Sequence, residues 1–329
     1  MKTSSLGGLR NRAMMWRRVM LVVSGIELMP IHVLDRVGRL ARGLAADIEL
    51  FHSVYEPEVV RERADQARLG DLIAARIEQR RARLERLADV LRDQGLRVDS
   101  NVRWDFPTYE SVIRQARRHK PDLVIVPAIR LGETLRTLAY REARLIEECP
   151  APVLFLKTRE VYSKGTVIAV IEPSASADAA GLDDRVLGAA KTVAHALAES
   201  PVRLFGAMRP GRQPVLATVA SAGNAAVSAP VTGPVPIVED RLRRLAQRHE
   251  IAESDVHVRP GEPAAVLSMF AREWRAQMIV VGAAPPDTTI AHRAEELLEA
   301  VACDVLVVRT APVASAVSAE AAPAAPQPA

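Results

Sequence analysis

Cysteine, aromatic residues and long apolar runs are all scarce in this 329-residue chain, and each shortage removes a class of protein. Two cysteines cannot build a disulfide framework, which points to a reducing compartment and away from a small secreted scaffold. No run approaches the ~18–20 consecutive apolar residues that a membrane span requires, so no membrane-spanning segment is expected. Aromatics make up only 4% of the residues, so Ala, Val, Leu and Ile must fill the interior. Catalytic signatures are equally thin. There is no G-x-S-x-G elbow and no G-x-x-x-x-G-K-[ST] loop. The seven histidines (32, 52, 119, 195, 249, 257 and 292) include no H-x-x-x-H pair and no Cys/His zinc spacing, so no metal is expected. What remains, 49% hydrophobic and 26% charged, is ordinary for a folded globular protein, and the length suits two domains.

Charge is uneven along the chain. Residues 1–160 carry 29 Lys and Arg against 22 Asp and Glu, whereas residues 161–329 carry 15 against 18. Arginine dominates and is scattered along helical stretches rather than set among aromatics. That distribution reads as solvated helix faces and disfavours nucleic-acid binding, which calls for a basic stripe with stacking rings.

One pattern is written twice. The apolar run Val19–Val23, followed by Ser24 and Gly25, is matched by Val167–Ile171, followed by Glu172 and Pro173. Asp122–Pro127 is matched by Met278–Gly282, and the closing run Ala151–Leu156 by Cys303–Val308. Short continuous apolar runs bounded by turn residues suit strands buried on both faces of a parallel sheet. A helical stripe over about 60–94 carries Leu69, Leu72, Ile73, Ile77, Leu84, Leu87 and Leu91, with Gly95 as its C-terminal cap. An alternating strand, Leu96–Trp104, leads into a helix ending near Lys120. In the second copy Asp255–Arg259 leads into a helix ending near Arg275. Each half therefore predicts β-α-β-α-β-α-β-α-β, a doubly wound five-stranded parallel sheet, over 16–160 and 161–310. Each half also ends in an apolar edge strand, and edge-to-edge pairing of the two halves into a pseudo-dimer would bury both edges. Outside the repeat, a basic extension (1–15) and an Ala/Pro tail (311–329) predict disorder. The Pro-, Ala- and Gly-rich stretch 209–236 predicts a loop or lid.

The doubled order resembles a tandem universal stress protein, closest to the E-type members, over about residues 16–310. The second half carries the likeness: Val235-Pro-Ile through Arg244–His249, Val256-His-Val-Arg-Pro-Gly-Glu-Pro263, Ile279-Val-Val-Gly282 and Cys303–Val308. The resemblance implies an adenine nucleotide alpha hydrolase-like fold and a cytoplasmic, non-enzymatic role in stress tolerance, directed at survival of DNA damage. That role would be exerted through a protein partner or a bound small ligand.

Nucleotide-binding members of the family carry Gly-x-x-Gly, nine residues, then Gly-Ser or Gly-Thr after the fourth strand. Glycines let backbone N–H groups approach phosphate oxygens. Here Gly282 matches the first glycine, but Pro285 stands at the second and Glu295-Glu296 at the Gly-Ser position. In the first half Pro127, Arg130 and Tyr140-Arg141 occupy the same places. Proline lacks an N–H and two carboxylates repel a triphosphate, so the phosphate cradle is degenerate in both halves. A remnant nucleotide site would comprise Glu172, Gly206, Val281 and Gly282, with Glu172 in the place of the carboxylate that ATP-binding members use. The competing readings are a solvated turn residue for Glu172 and a tight-turn glycine for Gly282. A second hypothesis, ATP or another nucleotide bound in the second half with weak hydrolysis, would use 209–236 as a lid carrying Arg209 or Arg212. A third, an adenylating enzyme, would need a Ser-Gly-Gly-x-Asp-Ser-like loop, and Val23-Ser-Gly-Ile-Glu27 offers one glycine. Cys149 and Cys303 read as small buried residues at equivalent places, with Glu147-Glu148 raising the Cys149 pKa. The adjacent acids Asp183-Asp184 and Glu295-Glu296 cannot face one another on a helix and form no dyad. A further homodimer is left open.

Overall fold

The computed structural model describes residues 15–24, 29–61, 66–128, 143–163, 165–171, 181–208, 235–283 and 298–309. The first half runs β1 (Arg18–Val22), α1 (Ile31–Leu44), β2 (Asp47–Val54), α2 (Pro57–Arg61), α3 (Gln66–Arg92), β3 (Val98–Trp104), α4 (Thr108–His119) and β4 (Leu123–Pro127). A short helical stretch, α5 (143–148), and β5 (Val153–Leu156) complete it. The second half runs β6 (Thr166–Val170), α6 (Leu182–Ala196), β7 (Val202–Met208), α7 (Val235–Arg248), β8 (Val256–Pro260), α8 (Pro263–Glu273), β9 (Ala276–Ala283) and β10 (Asp304–Arg309). The ten strands form one sheet in the order β3-β2-β1-β4-β5-β10-β9-β6-β7-β8. Each half is thus a parallel five-stranded sheet of the same order.

The chemistry of the strands explains their places. β5 and β10, in the middle of the sheet, are almost wholly buried on both faces, as their unbroken apolar runs predict. β3 and β8, at the two edges, keep exposed charges such as Asp99, Arg103 and Arg259, which discourages pairing with another chain. One face is covered by α1, α3, α6 and α7 through residues such as Val37, Leu91, Val193 and Leu242. The other is covered by α4, α5 and α8 through Ile113, Ile146 and Phe270.

The expected edge-to-edge pairing is present. β5 and β10 pair antiparallel, with Leu154 opposite Leu306, Val153 opposite Val307 and Phe155 opposite Val305. Side chains beyond the strand ends repeat the two-fold relation. Lys157 Nζ reaches across to the carbonyls of Leu298 and Val301, and Arg309 Nη1 reaches back to the carbonyl of Cys149 at 3.4 Å. Each therefore donates to carbonyls at the end of a short helical stretch of the opposite half, residues 298–300 for Lys157 and 143–148 for Arg309. Above the seam α1 crosses α6, and Gly43 lies directly against the backbone of Ala196.

Several expectations need correction. The helix predicted over about 60–94 is described as α2 up to Arg61 and α3 from Gln66 to Arg92, with 62–65 outside the described residues. Of its predicted stripe Leu84 and Leu91 are fully buried, and Leu69, Leu72, Ile73, Ile77 and Leu87 are half-buried. Gly95 does end that helix, at φ 79°, its N–H donating to the Arg92 carbonyl at 2.8 Å. Val235 and Pro236, predicted at the end of a loop, lie in α7, since a proline in the first helical turn forfeits no backbone hydrogen bond. Residues 209–234, like 1–14 and 310–329, lie outside the described residues. Both cysteines are buried, but the seam register makes Val301, not Cys303, the equivalent of Cys149. Burial, rather than Glu147 and Glu148, pushes the Cys149 thiol up to about 11, and Arg309 and Arg117 oppose the rise. Burial likewise takes Cys303 to about 12, which makes both thiols inert near neutral pH.

Candidate functional site

In an open parallel sheet, ligands sit beyond the carboxyl ends of the strands at the point where the connections reverse. In the second half that point lies between β6 and β9, where Val170 pairs with Val281. Val281 is buried, its side chain in the core beneath α8, and Gly282 follows it facing α6. Gly206 lies inside β7 opposite Val258 of β8, on the far side of β6 from Gly282. Glu172 lies outside the described residues, as do Pro285, Glu295 and Glu296. Three of the four predicted remnant residues are therefore placed. Val281 and Gly282 are consecutive on one strand, while Gly206 is two strands away.

Gly282 is not at a tight turn, because β9 continues through Ala283. Its missing side chain serves a close approach instead. A Cβ there would meet Leu182 Cγ and Cδ2 at 2.8 Å. Leu182 is the first residue of α6, turned onto the strand by Gly181 at φ 71°. An apolar side chain therefore occupies the space next to the one glycine that survives from the phosphate motif.

The acids in the first turn of α6 are taken up by α7. Asp183 pairs with Arg241 at 2.5 Å, and Asp184 pairs with Arg248 at 2.9 Å and with His249 Nε2 at 2.7 Å. They clamp α6 to its neighbour α7 and the residue that follows it.

At the corresponding point of the first half, β1 ends in buried Val22 and Val23, then exposed Ser24, beside Val126 and Pro127 of β4. His52 Nδ1 donates to the Val23 carbonyl at 2.6 Å. Burial depresses the His52 pKa, opposed by that hydrogen bond. A histidine lowered in the folded state contributes stability that is present above about pH 6.5 and lost as the pH falls. The urea midpoint should therefore drop between pH 7 and 5. The drop should be smaller in His52→Asn, which can still donate to Val23. An unchanged drop in that variant would clear His52 of responsibility. Burial lowers His32 and His257 as well, so some acid sensitivity should persist.

Beyond the ends of β2 and β3 lies a group that patterning missed. Tyr55 stacks on Phe106 with ring centroids 4.9 Å apart and tilts against Trp104 at 5.8 Å. Phe106 is 64% exposed. In a chain this poor in aromatics, the coincidence of three ring residues within four strand-end positions was the available signal.

A second missed group is the buried trio Arg36, Tyr162 and Asp304. Its sequence signal was an arginine within the apolar arc of α1 and a lone acid opening an otherwise apolar strand. Among the described residues, no three or more His, Cys, Asp or Glu side chains gather as metal ligands, and no helix is long and apolar enough to cross a membrane.

Comparison with solved structures gives the same architecture. A functionally unknown protein of Pseudomonas aeruginosa PAO1 is 18% identical at a TM-score of 0.62, covering 90% of this chain and 93% of its own. A universal stress protein of Archaeoglobus fulgidus DSM 4304 is 15% identical at the same TM-score, covering 89% and 98%. No curated protein matches the chain in sequence. The family model described as Universal stress protein family matches twice, over residues 15–157 and 166–309. With both halves of the sheet accounted for in this way, the chain belongs to the universal stress protein family, as a tandem two-domain member.

Proposed function

We propose that this protein serves the stress response without catalysing a reaction, acting through a protein partner or a small ligand other than a nucleoside triphosphate. Family membership supports the stress-response role. The E-type likeness directs it to survival of DNA damage, in the cytoplasm. The observation that carries the rest is Leu182 packed on Gly282. It fills with hydrocarbon the place where a phosphate cradle needs open backbone amides. The sequence around it agrees, with Pro285 at the second glycine position and Glu295-Glu296 at the Gly-Ser position. On this reading Gly206, Val281 and Gly282 serve as strand residues, and Glu172, Gly206, Val281 and Gly282 do not make a nucleotide site. Contact with a partner is supported by the exposed Tyr55 and Phe106, stacked beside half-buried Trp104, since aromatic side chains give large contact area at low entropic cost.

Isothermal titration of the purified full chain with ATP and Mg²⁺ tests this reading. The expected result is no saturable heat up to millimolar nucleotide, and no phosphate release above the buffer blank. Saturable binding at micromolar concentration would instead establish a nucleotide-binding second half.

A further inference from the structure

Two-fold likeness at the seam makes its one large asymmetry informative. The equivalence of the halves is fixed by Leu154 opposite Leu306 and by the matching reach of Lys157 to Val301 and of Arg309 to Cys149. The two crossing helices align on the left-handed residues that follow them, Ala45 after α1 and Ala198 after α6. Counted back equally from these, Arg36 of α1 corresponds to Ala189 of α6. Counted from the seam strands, Asp304 corresponds to Pro152.

Arg36 and Asp304 are paired across the seam, 1% and 0% exposed. Arg36 Nη1 also donates to the Thr158 carbonyl at 2.5 Å, and its guanidinium lies 4.3 Å from the Tyr162 ring centre. Tyr162 Oη donates to Asp304 at 2.7 Å, and the Lys157 amide donates to its other oxygen at 2.9 Å. The symmetric positions, Ala189 and Pro152, carry no charge.

We infer that the Arg36–Asp304 pair makes this seam heterotypic, so that each half accepts the other half and rejects a second copy of itself. Two first halves joined by the same register would bury two guanidiniums beside Pro152, with no carboxylate. Two second halves would bury two carboxylates beside Ala189, with no cation. Burying an ion without its partner is penalised far more heavily than replacing both by apolar groups. The pair therefore works chiefly against the wrong pairings, as a polar residue in a coiled-coil core fixes register. Through this seam the assembly is closed within one chain.

Each single substitution in the intact chain recreates one wrong pairing. Arg36→Leu leaves Asp304 buried without its cation, and Asp304→Leu leaves Arg36 without its anion. Each single variant should lower the melting temperature by about 5–10 °C, with Arg36→Leu/Asp304→Leu returning to within a few degrees of wild type. Singles that melt together with the double variant would overturn the inference, because an unpaired charge would then carry no penalty. Pairing itself is read on the full chain with a protease site at Lys164, nicked after folding, then unfolded in urea and refolded. Native mass spectrometry should find only unlike pairs of pieces for wild type, and like pairs in comparable amount for the double variant. Like pairs formed equally by both would also overturn it. Should the pieces fail to re-pair, the intact-chain melting comparison decides.

Discussion

Gly43→Ala is expected to lower the free energy of unfolding by about 4 kcal/mol, read from urea denaturation followed by far-UV circular dichroism. Taken as a helix position alone, the same change should gain up to about 1 kcal/mol, because glycine is a poor helix former. The sign reverses because the new methyl group would lie 2.0 Å from the Ala196 carbonyl oxygen and 2.7 Å from its Cα. Those atoms are backbone and cannot rotate aside. The clash is relieved only if α1 and α6 move apart over the seam, which loosens the core beneath both helices. Gly38→Ala in the same helix is the control. Its Cβ would meet Gln94 Oε1 at 2.8 Å, the far end of a flexible side chain, with Leu91 and Leu96 at 3.3 Å. That variant should stay within about 1 kcal/mol of wild type. If the two glycines respond alike, the close crossing of α1 and α6 is wrong.

The second large effect belongs to Leu154→Asp. Leu154 is fully buried at the centre of the seam, opposite Leu306. A carboxylate there is buried against Leu306, on the face that also carries Asp304 and with no cation of its own, so about 5 kcal/mol or more should be lost. Loss of pairing at β5 also bares β10, whose apolar centre Val305–Val308 has no other neighbour on that side. Hydrogen exchange should accordingly quicken in both β5 and β10, with β3 and β8 at the far edges affected least. Leu72→Asp, on the half-buried outer part of α3, should cost about 1 kcal/mol or less. A loss below about 2 kcal/mol for Leu154→Asp would show that the seam is not part of the cooperative core.

The site was legible in the sequence only as an absence. Glycine and hydroxyl positions can be counted along a chain, so the degenerate spacing around Gly282 and Pro285 was plain. What fills the freed space could not be counted, because Leu182 lies a hundred residues away and reaches Gly282 only once α6 has turned onto β9. The same distance concealed Arg36 and Asp304. Each looked like an ordinary charged residue until the fold put one against the other.

Local composition determined the strands, the helices and the duplication, since buried parallel strands need unbroken apolar runs and a glycine in a left-handed turn ends a helix. It also set which strands would need partners, as β5 and the centre of β10 are continuous apolar runs. Tertiary structure alone decided the register in which they meet, the glycine that lets two helices touch, and the pairing of Arg36 with Asp304 across the seam. Those features depend on which atoms from distant segments share a volume, and no span of sequence contains that information.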